Sequence, residues 1–204
     1  MRYFVGLWIL MSLLAASCAI TTPTQFYVLT AVPSSAPLQR LPGDKRNLTI
    51  SIGPVELPGY LDRPQIATRL SPTTLHFSEF HQWAEPLKDS VTRVLAENLS
   101  HLLATDYVVS HPWTRSTAMG YQVQVYLTYF EGMFGDQSLL KARWHILDTE
   151  AQEELIRQTS SFTAPANTED YETMVAAMSQ TLEKLSHDIA VALRALAQNP
   201  PPTG

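Results

Sequence analysis

The sequence predicts an α/β fold, a sandwich in which a mixed, largely antiparallel sheet packs with two main helices. Three observations predict it. Apolar and polar residues alternate in several separate runs, most clearly at Tyr121, Val123, Val125, Leu127 and Tyr129, the pattern of strands with one buried face. Two longer stretches, Leu87 to Leu102 and Tyr171 to Leu196, repeat their apolar residues every three or four positions instead, as amphipathic helices do. The order of these runs is several strands, a helix, a strand, a three-stranded meander and a final helix, which is the order of an α/β sandwich.

The chain opens with a segment that is not part of this body. Phe4 to Ala16 is almost wholly apolar, yet shorter than the roughly 20 residues needed to cross a bilayer core. It has the length of a signal-peptide core, Arg2 precedes it, and small residues close it as Ala15-Ala16-Ser17-Cys18. Cys18 is the only cysteine in 204 residues, so it makes no disulfide within the chain. A cysteine directly behind a short apolar run and small residues is the acceptor pattern of a bacterial lipoprotein signal, with leucine here four rather than three positions before it. Acyl chains on Cys18 would anchor the protein stably, each buried methylene adding about 0.8 kcal/mol. An ordinary secretory cleavage at Ser17 or Ala19 is the competing reading. Ala19 follows the cysteine where an aspartate would stand in an inner-membrane sorting signal, so by analogy the expected address is the outer membrane, facing the periplasm.

The expected organisation is therefore a signal peptide over 1–17, a lipidated tether over 18–24, a single domain over 25–197 and a disordered tail over 198–204. Fully extended, the tether reaches at most about 20 Å. The net charge of −5 argues against nucleic acid as a partner and against binding anionic headgroups through a basic patch. With 45% hydrophobic and 9% aromatic residues the chain is globular.

In order, Phe26 to Val32 reads as a strand, followed by a loop through Pro33, Pro37, Pro42 and Gly43. Leu48, Ile50 and Ile52 form the buried face of the next strand, which Gly53-Pro54 is expected to break. Asp62 and Arg63 fall on an extended or turn segment because Pro64 disfavours a helical Arg63. Strands follow over Ile66 to Leu70 and Thr74 to Phe80. Glu85-Pro86 starts the first helix, since proline is tolerated in a first turn, and Tyr107 to Ser110 is a short strand. From Gly120 the meander runs through a turn at Gly132 to Asp136, a return strand with Leu140, Ala142, Trp144 and Ile146 inside, and a third strand over Leu155 to Phe162. Asn167 is the expected N-cap of the last helix. The alternating four and three spacing of that helix fits either a helix lying on its own sheet or a subunit interface, hence self-association.

Catalytic signatures are scarce. The six histidines show no metal-binding spacing, and there is no nucleophile elbow, phosphate loop or dinucleotide motif. No enzyme activity, cofactor or metal is expected.

At Gly53-Pro54-Val55-Glu56-Leu57-Pro58-Gly59-Tyr60-Leu61-Asp62-Arg63-Pro64-Gln65-Ile66, followed by Trp83-Ala84-Glu85-Pro86-Leu87, the chain resembles the PqiC/YmbA family of ABC-type transport auxiliary lipoproteins. Cys18, Phe26-Tyr27-Val28-Leu29 and the strand holding Trp144 extend the likeness over almost the whole mature chain. The resemblance implies an outer-membrane lipoprotein, accessory to an MCE transport system that moves lipids or other hydrophobic molecules across the envelope, with an MCE-domain protein as partner. Asp62, Arg63 and Gln65 then form a docking or lipid-contact surface, with Trp83 as an aromatic anchor. A purely structural role fits them too: Asp62 pairs with Arg63 to fix the turn, and Trp83 fills core. Met133 and Phe134 at the meander turn are further candidates for a contact tip. A lipid-binding periplasmic carrier with no MCE partner, and an envelope hydrolase, are the rival functions.

Overall fold

The computed structural model describes residues 22–31, 49–110, 120–167 and 170–199. The signal peptide, Cys18, the proline loop after residue 31 and the tail from residue 200 lie outside them. Eight strands and two helices follow in order: β1 Gln25–Tyr27, β2 Thr49–Glu56, β3 Gln65–Ser71, β4 Thr74–Trp83, α1 Leu87–Leu103, β5 Val108–Ser110, β6 Gly120–Gly132, β7 Asp136–Asp148, β8 Glu153–Ala166 and α2 Tyr171–Gln198.

Strand β6 is the hub of the sheet. Along one edge it pairs antiparallel with β7 from Tyr121 to Gly132, and β7 pairs antiparallel with β8. Its other edge is shared. Parallel β2 occupies residues 120–126, and β3 meets the far end through Thr68 and Gly132. Beyond β2 lies parallel β5; beyond β3 lie antiparallel β4 and then parallel β1.

The sheet is mixed, as expected, but it is not largely antiparallel. Four of the seven strand pairings among the described residues are parallel. The antiparallel pairs are sequence neighbours joined by short turns, whose chemistry is local. The parallel ones need long crossovers, such as the passage from β2 through α1 to β5, and these leave no local signature.

Several boundaries move for identifiable reasons. β2 continues through Gly53-Pro54, where the expected break becomes a register shift between Ile52 and Val55. The amide of Gln122 donates to the Gly53 carbonyl at 2.8 Å, bridging the irregular site. β1 is only three residues long, and Leu29 just beyond it is fully buried. In β6 a shift between Leu127 and Tyr129 changes the alternation, so Phe130 takes the buried place and Tyr129 turns outward. The cap of α2 is Asp170, not Asn167: its carboxylate accepts the Thr173 N–H at 2.8 Å, which satisfies an N-terminal donor that Asn167 is too distant in sequence to reach.

Helix α1 buries its predicted stripe, and α2 buries the middle of its own, with Tyr171, Ala192 and Leu196 towards the ends only partly buried. In α1, Leu87, Val91, Val94, Leu95, Leu99 and Leu102 are buried, each contributing about 1.5–3 kcal/mol relative to exposure. In α2, Val175, Met178, Leu182, Leu185 and Ile189 are buried, with Met174, Ala190 and Leu193 beside them. The covering partners are the chain's own: α2 packs on β6, β7, β8 and α1, while α1 packs on β2 and β5. Between the helices the Asn98 amide donates to Ser186 Oγ at 3.2 Å. On the sheet side the indole N–H of fully buried Trp144 donates to Ser160 Oγ at 3.1 Å, and that hydroxyl donates on to Asp188 at 2.9 Å. The coiled-coil-like spacing of α2 is thus used within the chain.

Candidate functional site

The two sequence runs that carry the family likeness fold against each other. After β2, the chain turns through Pro58 to Pro64, the Leu61 N–H donating to the Pro58 carbonyl and the Arg63 N–H to that of Leu61, both at 2.9 Å. The Pro64 carbonyl then accepts the Trp83 N–H at 2.7 Å, and the Ala84 N–H reaches the Tyr27 carbonyl at 2.9 Å. These bonds tie the turn, the end of β4 and β1 together at the start of α1. The result is a surface cleft of about 340 Å³ lined by Asp62, Arg63, Pro64, Trp83, Ala84, Glu85, Pro86 and Leu87.

Of the candidate residues, three meet here. Asp62 and Arg63 are exposed, while Trp83 lines the cleft but is buried. Asp62 and Arg63 do not form the ion pair considered for them. Arg63 lies over the ring of Phe77, 4.1 Å from its centre, an attraction to the negative ring face. Gln65 stands outside the cleft lining, at the first position of β3 opposite Gln82.

One wall of the cleft is electrostatically fixed. Arg93 on α1 donates to Glu85 at 2.8 Å and to the Leu29 carbonyl at 3.0 Å. The guanidinium holds the Glu85 carboxyl below its ordinary range, through the hydrogen bond first, and the paired carboxylate raises the Arg93 value in turn. Arg93 therefore fastens both the segment after β1 and the cleft wall to α1.

Behind the same turn lies a buried polar group that the sequence reading missed. Glu131, 3% exposed, accepts from Arg69 through Nε and Nη2 and from the Tyr60 hydroxyl. Burial, then the hydrogen bond to Glu131, raise the Tyr60 phenol far above its ordinary value. The signal available was a glutamate between Phe130 and Gly132 in a strand otherwise alternating cleanly, paired with an arginine on a neighbouring strand. Only the register reveals that the two meet.

Met133 and Phe134 sit on the β6–β7 turn, closed by the Met133 N–H on the Gln137 carbonyl at 3.0 Å. Both are half-buried. Phe134 packs edge-on against Tyr171 at 4.9 Å, and Tyr171 stacks on His81 at 4.0 Å, whose Nδ1 is 2.7 Å from the Tyr27 hydroxyl. This aromatic group is separate from the cleft lining. Among the described residues no group of three or more His, Cys, Asp or Glu side chains is placed to hold a metal ion, and no helix is long and apolar enough to cross a membrane.

No curated protein matches the chain. Among solved structures, it is similar to protein XCC0632 from Xanthomonas campestris, assigned to the DUF330 family model, with 16% identity, a TM-score of 0.69, and coverage of 86% of this chain and 98% of that one. It is also similar to an uncharacterized protein of known crystal structure, with 19% identity, a TM-score of 0.67, and coverage of 84% and 99%. At these identities the likeness establishes the fold. Residues 27–190 match the family model described as the ABC-type transport auxiliary lipoprotein component, a span containing both motif runs, the cleft and the first two-thirds or so of α2. The chain belongs to the family of ABC-type transport auxiliary lipoprotein components.

Proposed function

We propose that this protein is a non-enzymatic lipoprotein of the outer membrane, anchored through Cys18 and facing the periplasm. There it docks the MCE-domain partner of an ABC-type lipid transport system and so supports envelope integrity. The observation that carries the reading is convergence. Asp62, Arg63, Trp83 and the Glu85-Pro86-Leu87 helix start come from two separate runs of the family motif, and together they line one open cleft. A cleft with exposed charges around a largely buried aromatic side chain has the composition of a docking site, in which an aromatic anchor carries much of the binding energy. The short tether adds a constraint: a body held within about 20 Å of its anchor cannot cross the envelope, so the partner must reach it.

Two measurements test this. Intact mass of the membrane-extracted protein should equal the chain from Cys18 plus a diacylglyceryl and an acyl group, and Cys18→Ala should leave the outer-membrane fraction. A photo-crosslinking residue at position 62 or 63 should then couple to an MCE-domain protein in cells. An unmodified soluble chain overturns the anchor. Crosslinks to lipid alone, with no protein adduct, replace docking by a periplasmic lipid carrier.

A further inference from the structure

The sheet face turned away from the two helices carries a row of cationic and aromatic side chains that the docking cleft does not use. Leu140, Ala142, Trp144 and Ile146 are buried towards the helices, so Lys141, Arg143 and His145 project from the opposite face of β7. The register extends the row across three strands. Lys141 stands between Tyr129 and Ser161, Arg143 between Tyr126 and Thr159, and His145 between Gln124 and Arg157.

The charges in this row are unevenly matched. Arg69 and Lys141 approach the Tyr129 ring to 5.3 and 5.1 Å, and His145 meets Tyr126 edge-on at 5.6 Å. Glu131 is buried and bonded to Arg69, while Glu154 is bonded to His145 and Arg157. Lys141 and Arg143 have no carboxylate partner among the described residues. With Glu56 of β2, exposed and opposite Tyr126 in register, four fixed cations, Arg69, Lys141, Arg143 and Arg157, thus face three carboxylates, an excess of one positive charge in a chain of net charge −5.

We propose that this outer sheet face rests on the phosphates of a lipid bilayer, with Lys141 and Arg143 as the phosphate contacts and Tyr126 and Tyr129 at headgroup depth. Cations flanked by tyrosines suit that interface, because the ring is amphipathic and the cation reaches the phosphate. A lipid surface is favoured over an acidic protein by reach, an argument that rests on the Cys18 anchor. The tether extends about 20 Å, and β7 lies four strand spacings from β1, about 19 Å, so the row is held within reach of the headgroups. Near the tether, Phe26 and Phe80 are 64% and 41% exposed, and Phe26 shares a face with Gln82 and Gln65 on the same sheet.

The test uses the full chain carrying Cys18→Ala, so that any binding comes from the protein surface and failure of the anchor reading shows separately, in the mass measurement. It is floated with phosphatidylcholine vesicles containing phosphatidylglycerol and with phosphatidylcholine vesicles alone. Expected are preferential binding to the anionic vesicles that weakens with salt, and a loss of about fivefold for each of Lys141→Ala and Arg143→Ala, about 25-fold together. Lys88→Ala, at an exposed position of α1, should bind normally, and circular dichroism of all variants should match. Absence of binding to anionic vesicles, or binding unchanged in the double variant, overturns the proposal. So does a double variant that keeps vesicle binding but loses a protein partner, which would make the face an acidic-protein site.

Discussion

Arg69 and Glu131 meet as a two-pronged ion pair between β3 and β6, with Nε to Oε2 at 2.5 Å and Nη2 to Oε1 at 2.9 Å. The carboxylate is 3% exposed and the arginine side chain 18%, and the Tyr60 hydroxyl supplies a further donor. The remaining arginine nitrogen is used by the Pro72 carbonyl at 3.0 Å. The pair therefore joins the motif turn, the β3–β4 hairpin and the end of the central strand. Removing one member of such a pair leaves the other charge buried and alone, which typically costs about 3–5 kcal/mol. Arg69→Ala is expected to lose that much by urea unfolding, and Tyr60→Phe about 1.5–3 kcal/mol, as for a bond to a charged group. An Arg69→Ala variant as stable as wild type would show that the pair does not hold these elements together.

The Glu85–Arg93 contact sets a pH dependence. Arg93 lowers the Glu85 carboxyl from its ordinary 4.5, so the folded value lies below the unfolded one. Its contribution is fully present above the ordinary value and is lost as pH falls through the folded value. Both groups are more than a third exposed or close to it, at 34% and 40%, so solvent screening limits the effect to about 1 kcal/mol or less. Glu85→Gln should be less stable than wild type near neutrality and indistinguishable from it well below the ordinary carboxylate range. Urea midpoints over a pH series measure this, and a gap that persists in acid would assign the effect to packing.

Gly120 is required by the parallel pairing of β6 with β2. Its φ is +152°, and a Cβ there would lie 1.9 Å from the backbone carbonyl oxygen of Thr49, the residue it pairs with. Neither backbone can yield without opening the ladder. Gly120→Ala is expected to cost about 3 kcal/mol or more, seen as a lowered urea midpoint. A stability loss within the range of an ordinary surface substitution would show that β2 does not pair as described.

Trp83 and Asp62 line one cleft but should behave differently. Trp83 is 6% exposed, and truncating a buried aromatic to alanine costs about 3–5 kcal/mol. Asp62 is exposed without an ion pair among the described residues, so Asp62→Ala should alter stability by about 0.5 kcal/mol or less. If the cleft docks a partner, Asp62→Ala weakens crosslinking at position 63 while the protein stays folded. A loss of folding in Asp62→Ala would reduce its role to the turn.

Much of this architecture is written locally. The α1 stripe from Leu87 to Leu102, the inside positions of β7 and the Asp62-Arg63-Pro64 turn all depend on residues close in sequence, so periodicity and proline chemistry were enough to place them. The meander was legible because β6, β7 and β8 are joined by short turns. The phase change in β6 was not, since a register shift between Leu127 and Tyr129 is fixed by the partner strand. The helix cap was misplaced because Asn167 and Asp170 are both good cap residues, and only the observed helix start at Tyr171 puts Asp170 next to the free N–H groups.

By itself the sequence determined which segments are helix and which are strand, where the two motif runs begin, and which family they belong to, because these depend on composition, spacing and local backbone limits. Tertiary structure alone decided that β1, β2, β3 and β5 join the sheet by parallel pairings, that Arg63 lies on Phe77 rather than on Asp62, and that Glu131 is met by Arg69 and Tyr60. Each of those contacts joins residues far apart in the chain. Their partners are selected by the register and curvature of the whole sheet and by the cost of leaving a buried polar group unpaired.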